Sequence, residues 1–125
     1  MRYVSPRAGA KADFAEVLLG GPAPDGGLYL PEAWPRLELA EIAALSGCSY
    51  AEAAFRIIRP FIGDAFSDNE LRADIDGAYA GFGHKAIVPL VQLGPDRFLL
   101  ELFHGPTLAF KDLALQLLGR LFSRA

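Results

Sequence analysis

The chain has 125 residues, a length that fits one modest domain. Hydrophobic residues make up 52% of it, which is enough apolar surface to offset the entropy of ordering and excludes a disordered chain. The net charge of -3 comes from scattered charges, so neither a nucleic acid nor an anionic membrane surface is predicted as a partner.

Cysteine usage and the absence of long apolar segments argue against a disulfide-bonded, secreted or membrane protein. Cys48 is the only cysteine, which excludes an intrachain disulfide. The first seven residues lack the apolar stretch of a signal peptide. No apolar segment approaches the roughly 20 residues needed to span a bilayer. We therefore expect a soluble, cytoplasmic protein without a membrane partner, and we assign no metal site.

The amino-terminal part of the chain predicts two short strands around a helix and a turn. The first strand covers 2–5 and ends at a proline. Asp13 followed by Glu16 is a capping signature for a short helix. Residues 22–27 are rich in proline and glycine and predict a turn, and 28–30 predict a second, brief strand.

Three helices are predicted next. The first covers 39–45, and the others begin at the capping pairs Ser49 with Glu52 and Ser67 with Glu70. A proline near its end is expected to kink or close the second helix. Each helix has one apolar face, which we interpret as core rather than as a binding groove. On the second and third helices the apolar positions are Tyr50, Ala54, Ile57, Ile58 and Phe61, and Leu71, Ile75, Ala78, Tyr79 and Phe82.

The last third of the chain predicts two strands, a loop and a helix. Residues 87–93 and 97–102 are separated by turn residues, and the second run has few polar interruptions, as expected for a strand covered on both faces. A loop at 103–108 leads into a helix from about Phe110 to Ser123.

The predicted fold is mixed, α+β or α/β. Residues 1–82 form a helical amino-terminal unit with short strands, and 83–125 are the first strands and the lysine-bearing helix of an incomplete α/β domain. That helix is apolar nearly all round, which indicates a place inside a larger layer structure. Its apolar positions are Phe110, Leu113, Ala114, Leu115, Leu117, Leu118, Leu121 and Phe122.

Lys111, in the first turn of the last helix, is the candidate for chemistry. The partial positive charge of a helix N-terminus and apolar surroundings both favour the neutral amine, the form that condenses with an aldehyde. The neighbouring Asp112 favours the charged ammonium form instead, so the net effect on the charge of Lys111 stays open. A lysine at this position is usually a solvated surface residue. The apolar neighbours, the Gly-Pro turn and the strand-loop-helix placement favour a functional role.

Three segments resemble the threonine synthases. Residues 103–112, Phe-His-Gly-Pro-Thr-Leu-Ala-Phe-Lys-Asp, resemble their lysine motif, and 23–31 resemble a second family segment. Residues 3–9 resemble a third, which usually reads Ser-Thr-Arg-Gly; here Pro6 replaces Thr and Ala8 replaces Gly. We assign no role to this first loop.

The resemblance implies a fold-type-II pyridoxal-phosphate enzyme, a lyase that converts O-phospho-L-homoserine and water to L-threonine and phosphate. Lys111 would hold the cofactor covalently and, once displaced by the substrate amine, would shuttle protons. His104 and Phe110 would line the cofactor site, although a turn-stabilising role suits His104 equally well.

Two parts of such an enzyme are not identifiable in the chain. One is the glycine-rich loop that holds the cofactor phosphate at a helix N-terminus, and the other is the partner of the pyridine nitrogen. We therefore expect a truncated threonine synthase that is inactive alone and that self-associates through its exposed carboxy-terminal helix. Two alternatives stay open: a threonine-synthase-like phospholyase, and a non-catalytic helical interaction module in which Lys111 is incidental.

Overall fold

The computed structural model describes all 125 residues and contains five α-helices, one 3₁₀ turn and two small sheets. In chain order the elements are β1 (Arg2–Val4), β2 (Lys11–Asp13), α1 (Phe14–Gly20), β3 (Leu30–Pro31), α2 (Leu39–Ala43), α3 (Tyr50–Ile62), the 3₁₀ turn (Gly63–Ala65), α4 (Asp68–Tyr79), β4 (Leu90–Gly94), β5 (Arg97–Leu100) and α5 (Asp112–Arg124). The predicted mixture of helices and short strands is confirmed.

The amino-terminal sheet is antiparallel, with the strand order β2-β1-β3. The predicted strand at 2–5 is confirmed as β1. The second predicted strand lies two residues later than expected at its start, as β3. The sequence did not predict β2, whose three residues form a strand through their pairing with β1. The Tyr3 hydroxyl donates to the Phe61 carbonyl at 2.6 Å, which ties this sheet to the end of α3.

All three predicted polar caps are present, but one capping box is incomplete. The boxes at the starts of α1 and α4 are reciprocal, as predicted. At α3 the Ser49 hydroxyl accepts from the Glu52 amide at 3.2 Å, as the pattern predicts. The Glu52 carboxylate, however, pairs with Arg56 at 2.8 Å and with Arg72 at 2.6 Å instead of returning to the cap.

The predictions for α3 are confirmed in part, and the prediction of a buried face on α2 is wrong. Helix α3 continues through Pro60 to Ile62, so the proline does not close it. Ile57 is 45% exposed, and the buried residues of α3 are Ala54, Phe55 and Ile62. Tyr50, Ala54 and Ile58 of the predicted face lie in the core or pack against it, so that face is confirmed at these three positions and wrong at Ile57. Helix α2 buries no residue at all, because its five residues pack too little of their apolar face against the rest of the chain.

One continuous core joins α3, α4 and α5. Its centre is Leu71, which is fully buried, and α5 contributes Leu117 and Leu121. The Tyr79 hydroxyl donates to the Leu113 carbonyl at 3.0 Å, which adds a polar tether between α4 and α5. The helix that follows the lysine loop thus shares its core with the helical unit. The domain boundary between residues 82 and 83 stays a prediction.

The hairpin of β4 and β5 is exposed, contrary to the expectation of a strand covered on both faces. The two strands pair only with each other, with Leu90 opposite Leu100 and an irregularity between Gln92 and Gly94. Phe98 is 56% exposed, and its neighbours on β5 are exposed as well. No helix of the chain combines the length and the apolar character that crossing a membrane requires.

Candidate functional site

The lysine loop, which we define as residues 104–111, connects the hairpin to α5. Lys111 occupies the cap position of α5, with φ -65° and ψ -22°, and Asp112 is the first helical residue. The predicted helix began at about Phe110, two residues earlier, so the prediction placed Lys111 within the first turn. The Lys111 side chain is exposed, and no carboxylate pairs with its ammonium group. Its amine is therefore not held by any counter-charge of the chain.

A shallow apolar depression of about 420 Å³ adjoins Lys111. Its lining is Leu102, Phe110, Lys111, Leu113, Ala114 and Leu115. The structure thus brings Phe110 and Lys111 to one wall, and the Phe110 ring is 65% exposed there. Five of the six lining residues are apolar, so a planar aromatic ligand could lie beside the amine without desolvating other charges. The role of Phe110 in cofactor binding stays a prediction.

His104 faces a polar cluster and does not line the depression. Its Nε2 lies 2.7 Å from a carboxylate oxygen of Glu101, and its ring centroid lies 5.2 Å from that of His84. Its carbonyl accepts from the Gly83 amide at 2.8 Å. These contacts tie the start of the lysine loop to the segment before β4. They favour the turn-stabilising interpretation of His104, and its contact with a cofactor stays a prediction.

Asp112 is buried, although sequence reasoning treated it only as a counter-charge to Lys111. Its carboxylate accepts from the Thr107 amide at 2.7 Å, from the Thr107 hydroxyl at 2.8 Å and from the Gln116 side chain at 3.3 Å. Burial alone would raise the pKa of Asp112, but the hydrogen bonds from Thr107 and Gln116 together hold its pKa below the usual value. The carboxylate is therefore a charged anchor for the lysine loop.

A second hub, around Asp25, gives a structural role to the first loop, to which the sequence assigned none. The Asp25 carboxylate accepts from the Ser5 hydroxyl at 2.7 Å and from the Ala8 and Gly27 amides, each at 2.9 Å. A Cβ built on Gly27 would overlap the Ser5 hydroxyl, so a larger residue there would displace the Ser5 side chain that bonds to Asp25. The two amino-terminal segments that resemble the family thus form a single unit. An Asp-Gly-Gly turn was the only local signal.

The Asp25 hub should loosen at acid pH. The hydrogen bond from Ser5 and then that from the Gly27 amide lower the pKa of Asp25, because both stabilise the carboxylate and outweigh its desolvation. A group whose pKa is lowered by folding stabilises the fold above its unfolded pKa, about 3.9, and loses that contribution as the pH falls through the lowered value. We expect the Ala8 amide to be protected from hydrogen exchange at pH 5 and to lose protection only below about pH 4.

The matched variants are Asp25→Asn and Asp76→Asn. Ser5 and Gly27 donate to one oxygen of Asp25 and Ala8 donates to the other. Asparagine that keeps the bonds from Ser5 and Gly27 turns its NH2 group toward the Ala8 amide, so Asp25→Asn should abolish Ala8 protection at every pH. Asp76 is exposed and lies in α4, so its variant makes the same charge change without touching the hub. Protection of Ala8 that survives in Asp25→Asn would contradict the role of the carboxylate.

Comparisons with known proteins place the chain in a family. A family model described as the threonine synthase N terminus matches residues 2–79. Threonine synthase from Pseudomonas aeruginosa is 53% identical over 122 residues, which cover 97% of this chain and 26% of that protein. Human threonine synthase-like 2 is 40% identical over 117 residues, which cover 92% of this chain and 24% of that protein.

A solved structure is similar to this chain in fold as well as in sequence. The crystal structure of PLP-bound threonine synthase from Brucella melitensis matches with a TM-score of 0.95 at 46% identity, covering 98% of this chain and 26% of that chain. The chain therefore spans about a quarter of the length of these relatives. The resemblance predicted from three short segments is confirmed over nearly the whole chain, and the chain belongs to the threonine synthase family.

Proposed function

We propose that this chain acts as the amino-terminal part of a threonine synthase, a pyridoxal-phosphate-dependent lyase of amino-acid biosynthesis. The reaction converts O-phospho-L-homoserine and water to L-threonine and phosphate, and the expected compartment is the cytoplasm. One observation carries the proposal: the Lys111 amine is exposed, has no carboxylate partner and lies beside an apolar depression. The 53% identity to threonine synthase of Pseudomonas aeruginosa supports it.

The residues of this chain fit one part of pyridoxal phosphate. An unpaired amine fits its aldehyde, and the exposed Phe110 ring fits a flat aromatic neighbour. The glycine turn at 22–27 offers no site that fits the phosphate of the cofactor. The Gly26 amide donates to the Ala23 carbonyl, the Gly27 amide donates to Asp25, and a strand follows instead of a helix N-terminus. We infer that the 125 residues alone do not turn substrate over.

The chemistry divides between the cofactor and the chain. When bound, pyridoxal phosphate supplies an electron sink for loss of phosphate from the substrate and for addition of water. Lys111 would first bind the cofactor aldehyde through Nζ and then, as a free amine, take up and return protons. The apolar wall at Phe110 would exclude water from one side of the reacting groups. The anchored loop would keep the amine in one position during these transfers.

A transplant tests the proposal. In the chimera, the amino-terminal quarter of threonine synthase from Pseudomonas aeruginosa is replaced by this chain, and formation of threonine from O-phospho-L-homoserine is measured. We expect activity within about tenfold of the parent, since the two segments share 53% of their residues. A folded chimera, checked by circular dichroism, that binds the cofactor but forms no threonine would refute the proposal.

A second candidate keeps the family and changes the product: a threonine-synthase-like phospholyase. The lower identity to human threonine synthase-like 2, 40% against 53%, favours threonine synthase. Measuring phosphate and threonine separately in the transplant assay distinguishes the two, since a phospholyase releases phosphate without forming threonine. Family membership also disfavours the non-catalytic interaction module.

Self-association of the isolated chain is part of the proposal. The outer face of α5 exposes Leu115 by 51%, Leu118 by 36% and Phe122 by 44%, and such a patch favours association in water. We expect the sedimentation coefficient to rise with protein concentration and Phe122→Glu to suppress the rise. The control Leu39→Glu adds the same charge on α2, where the side chain is 84% exposed. A monomer at all concentrations would contradict this expectation.

A further inference from the structure

We propose that Asp112 is the positioning residue of the lysine site. Its buried carboxylate anchors the lysine loop, and this anchor fixes the direction in which Lys111 leaves the backbone. The proposal deepens the proposed function and rests on it for the chemistry of the amine. The anchoring of the loop by Asp112 involves only residues of this chain and does not depend on the proposed function.

The first step is the burial of a charge without a counter-charge. Asp112 is only 3% exposed, and no lysine, arginine or histidine pairs with it. A buried carboxylate is tolerated only when hydrogen bonds replace its hydration. The two bonds from Thr107 and the one from Gln116 do this. Opening the lysine loop would remove the Thr107 bonds, so the carboxylate opposes opening.

The second step is the backbone that this anchor holds. Leu108 lies at φ +61°, a left-handed conformation that a branched apolar residue rarely adopts. The Leu108 amide donates to the Gly105 carbonyl at 3.1 Å, which closes the turn. A Cβ built on Gly105 would overlap the Asp112 side chain, so the loop passes directly against the carboxylate. The strain at Leu108 persists because Thr107, which precedes it, is hydrogen-bonded to Asp112, which follows it.

The third step is the link between the anchored Asp112 and the direction of the Lys111 side chain. Lys111 and Asp112 share a peptide bond, and both have right-handed helical backbone angles. Successive side chains on such a backbone point about 100° apart. Asp112 is turned into the protein, and Lys111 is exposed along the wall that it shares with Phe110. A backbone rotation that moved Asp112 out of the protein would therefore turn Lys111 as well.

The test compares variants of this chain by NMR, without cofactor. The variants are Asp112→Ala, Asp112→Asn, Thr107→Val and Thr107→Ser, with Asp76→Asn as the charge-matched control. Three readouts follow the loop: hydrogen exchange of the residue 107 amide, the strong intraresidue amide-to-Hα contact of a left-handed Leu108, and the Lys111 Cα and Cβ shifts. The amides of Leu71 and Ile75 report whether the core stays folded.

We expect Asp112→Ala to accelerate exchange at residue 107 by about tenfold or more, to abolish the left-handed signature of Leu108 and to move the Lys111 shifts. Asp112→Asn and Thr107→Val should give intermediate values, because each keeps part of the anchor. Thr107→Ser, which keeps both bonds, should match the wild type. This rescue separates anchoring from general packing.

Unchanged exchange at residue 107 and an unchanged Leu108 signature in Asp112→Ala would overturn the positioning role. If Asp112→Ala loses the whole core, the milder pair Thr107→Val and Thr107→Ser decides: equal behaviour of those two would also overturn it. None of these readouts involves pyridoxal phosphate. The outcome therefore stands whether or not Lys111 forms the proposed bond.

Discussion

Replacing Lys111 by alanine in the chimera is expected to reduce threonine formation by about 10³-fold or more. A positioned proton-transfer group alone contributes about 10²–10⁴-fold, and the variant also loses the covalent attachment of the cofactor. The amine is exposed and unpaired, so its removal leaves no unpaired partner and should not disturb the fold. The loss should therefore appear as lower kcat at unchanged unfolding midpoint.

Two further variants isolate the role of the amine. Lys111→Arg keeps a positive charge but cannot form the bond to the aldehyde, so it should be as inactive as the alanine variant. Lys85→Ala removes a lysine that is also exposed and should retain activity within about twofold. Borohydride reduction followed by mass analysis should place pyridoxal phosphate on residue 111 in the unsubstituted chimera and in Lys85→Ala, but not in the two Lys111 variants. Full turnover by Lys111→Ala would refute the enzymatic proposal.

Local signals predicted all five helices and four of the five strands, and they missed β2. A capping pair such as Ser67 with Glu70 lies within one turn, so all of its hydrogen bonds form within four consecutive residues. Strand β2 depends on pairing with β1 across the loop between them, which no short window records. The apolar run at 97–102 correctly predicts a strand. Its exposure in this chain was not predictable, since exposure depends on which surfaces cover it.

The candidate site shows the same division. Lys111 was predictable because its motif is contiguous. The anchor on Asp112 was missed because the sequence shows a carboxylate next to a lysine, whereas in the fold it turns away and bonds back to Thr107. The Asp25 hub joins Asp25 to Ser5, twenty positions away, and to Ala8. Such contacts are set by the course of the chain, which sequence patterns of one element do not contain.

The second large effect is expected from the core beneath the lysine loop. Leu117→Ala should lower the free energy of unfolding by about 2–5 kcal/mol, since Leu117 is buried in the core between α4 and α5. Leu115→Ala, on the same helix, makes the same substitution at a residue that is 51% exposed and should change stability by only about 0.5 kcal/mol or less. Urea denaturation of both variants measures the difference.

Trp34 makes this measurement a test of domain organisation as well. It is the only tryptophan, it lies in the amino-terminal unit, and its ring packs edge-on against Phe61 at 6.4 Å. If α5 and the helical unit unfold together, Leu117→Ala shifts the Trp34 fluorescence transition as much as the circular dichroism transition. If the boundary between residues 82 and 83 separates independent units, the fluorescence midpoint stays where it was. A shared shift would mean that the helix carrying Asp112, and with it the lysine loop, is held in place by the stability of the amino-terminal core.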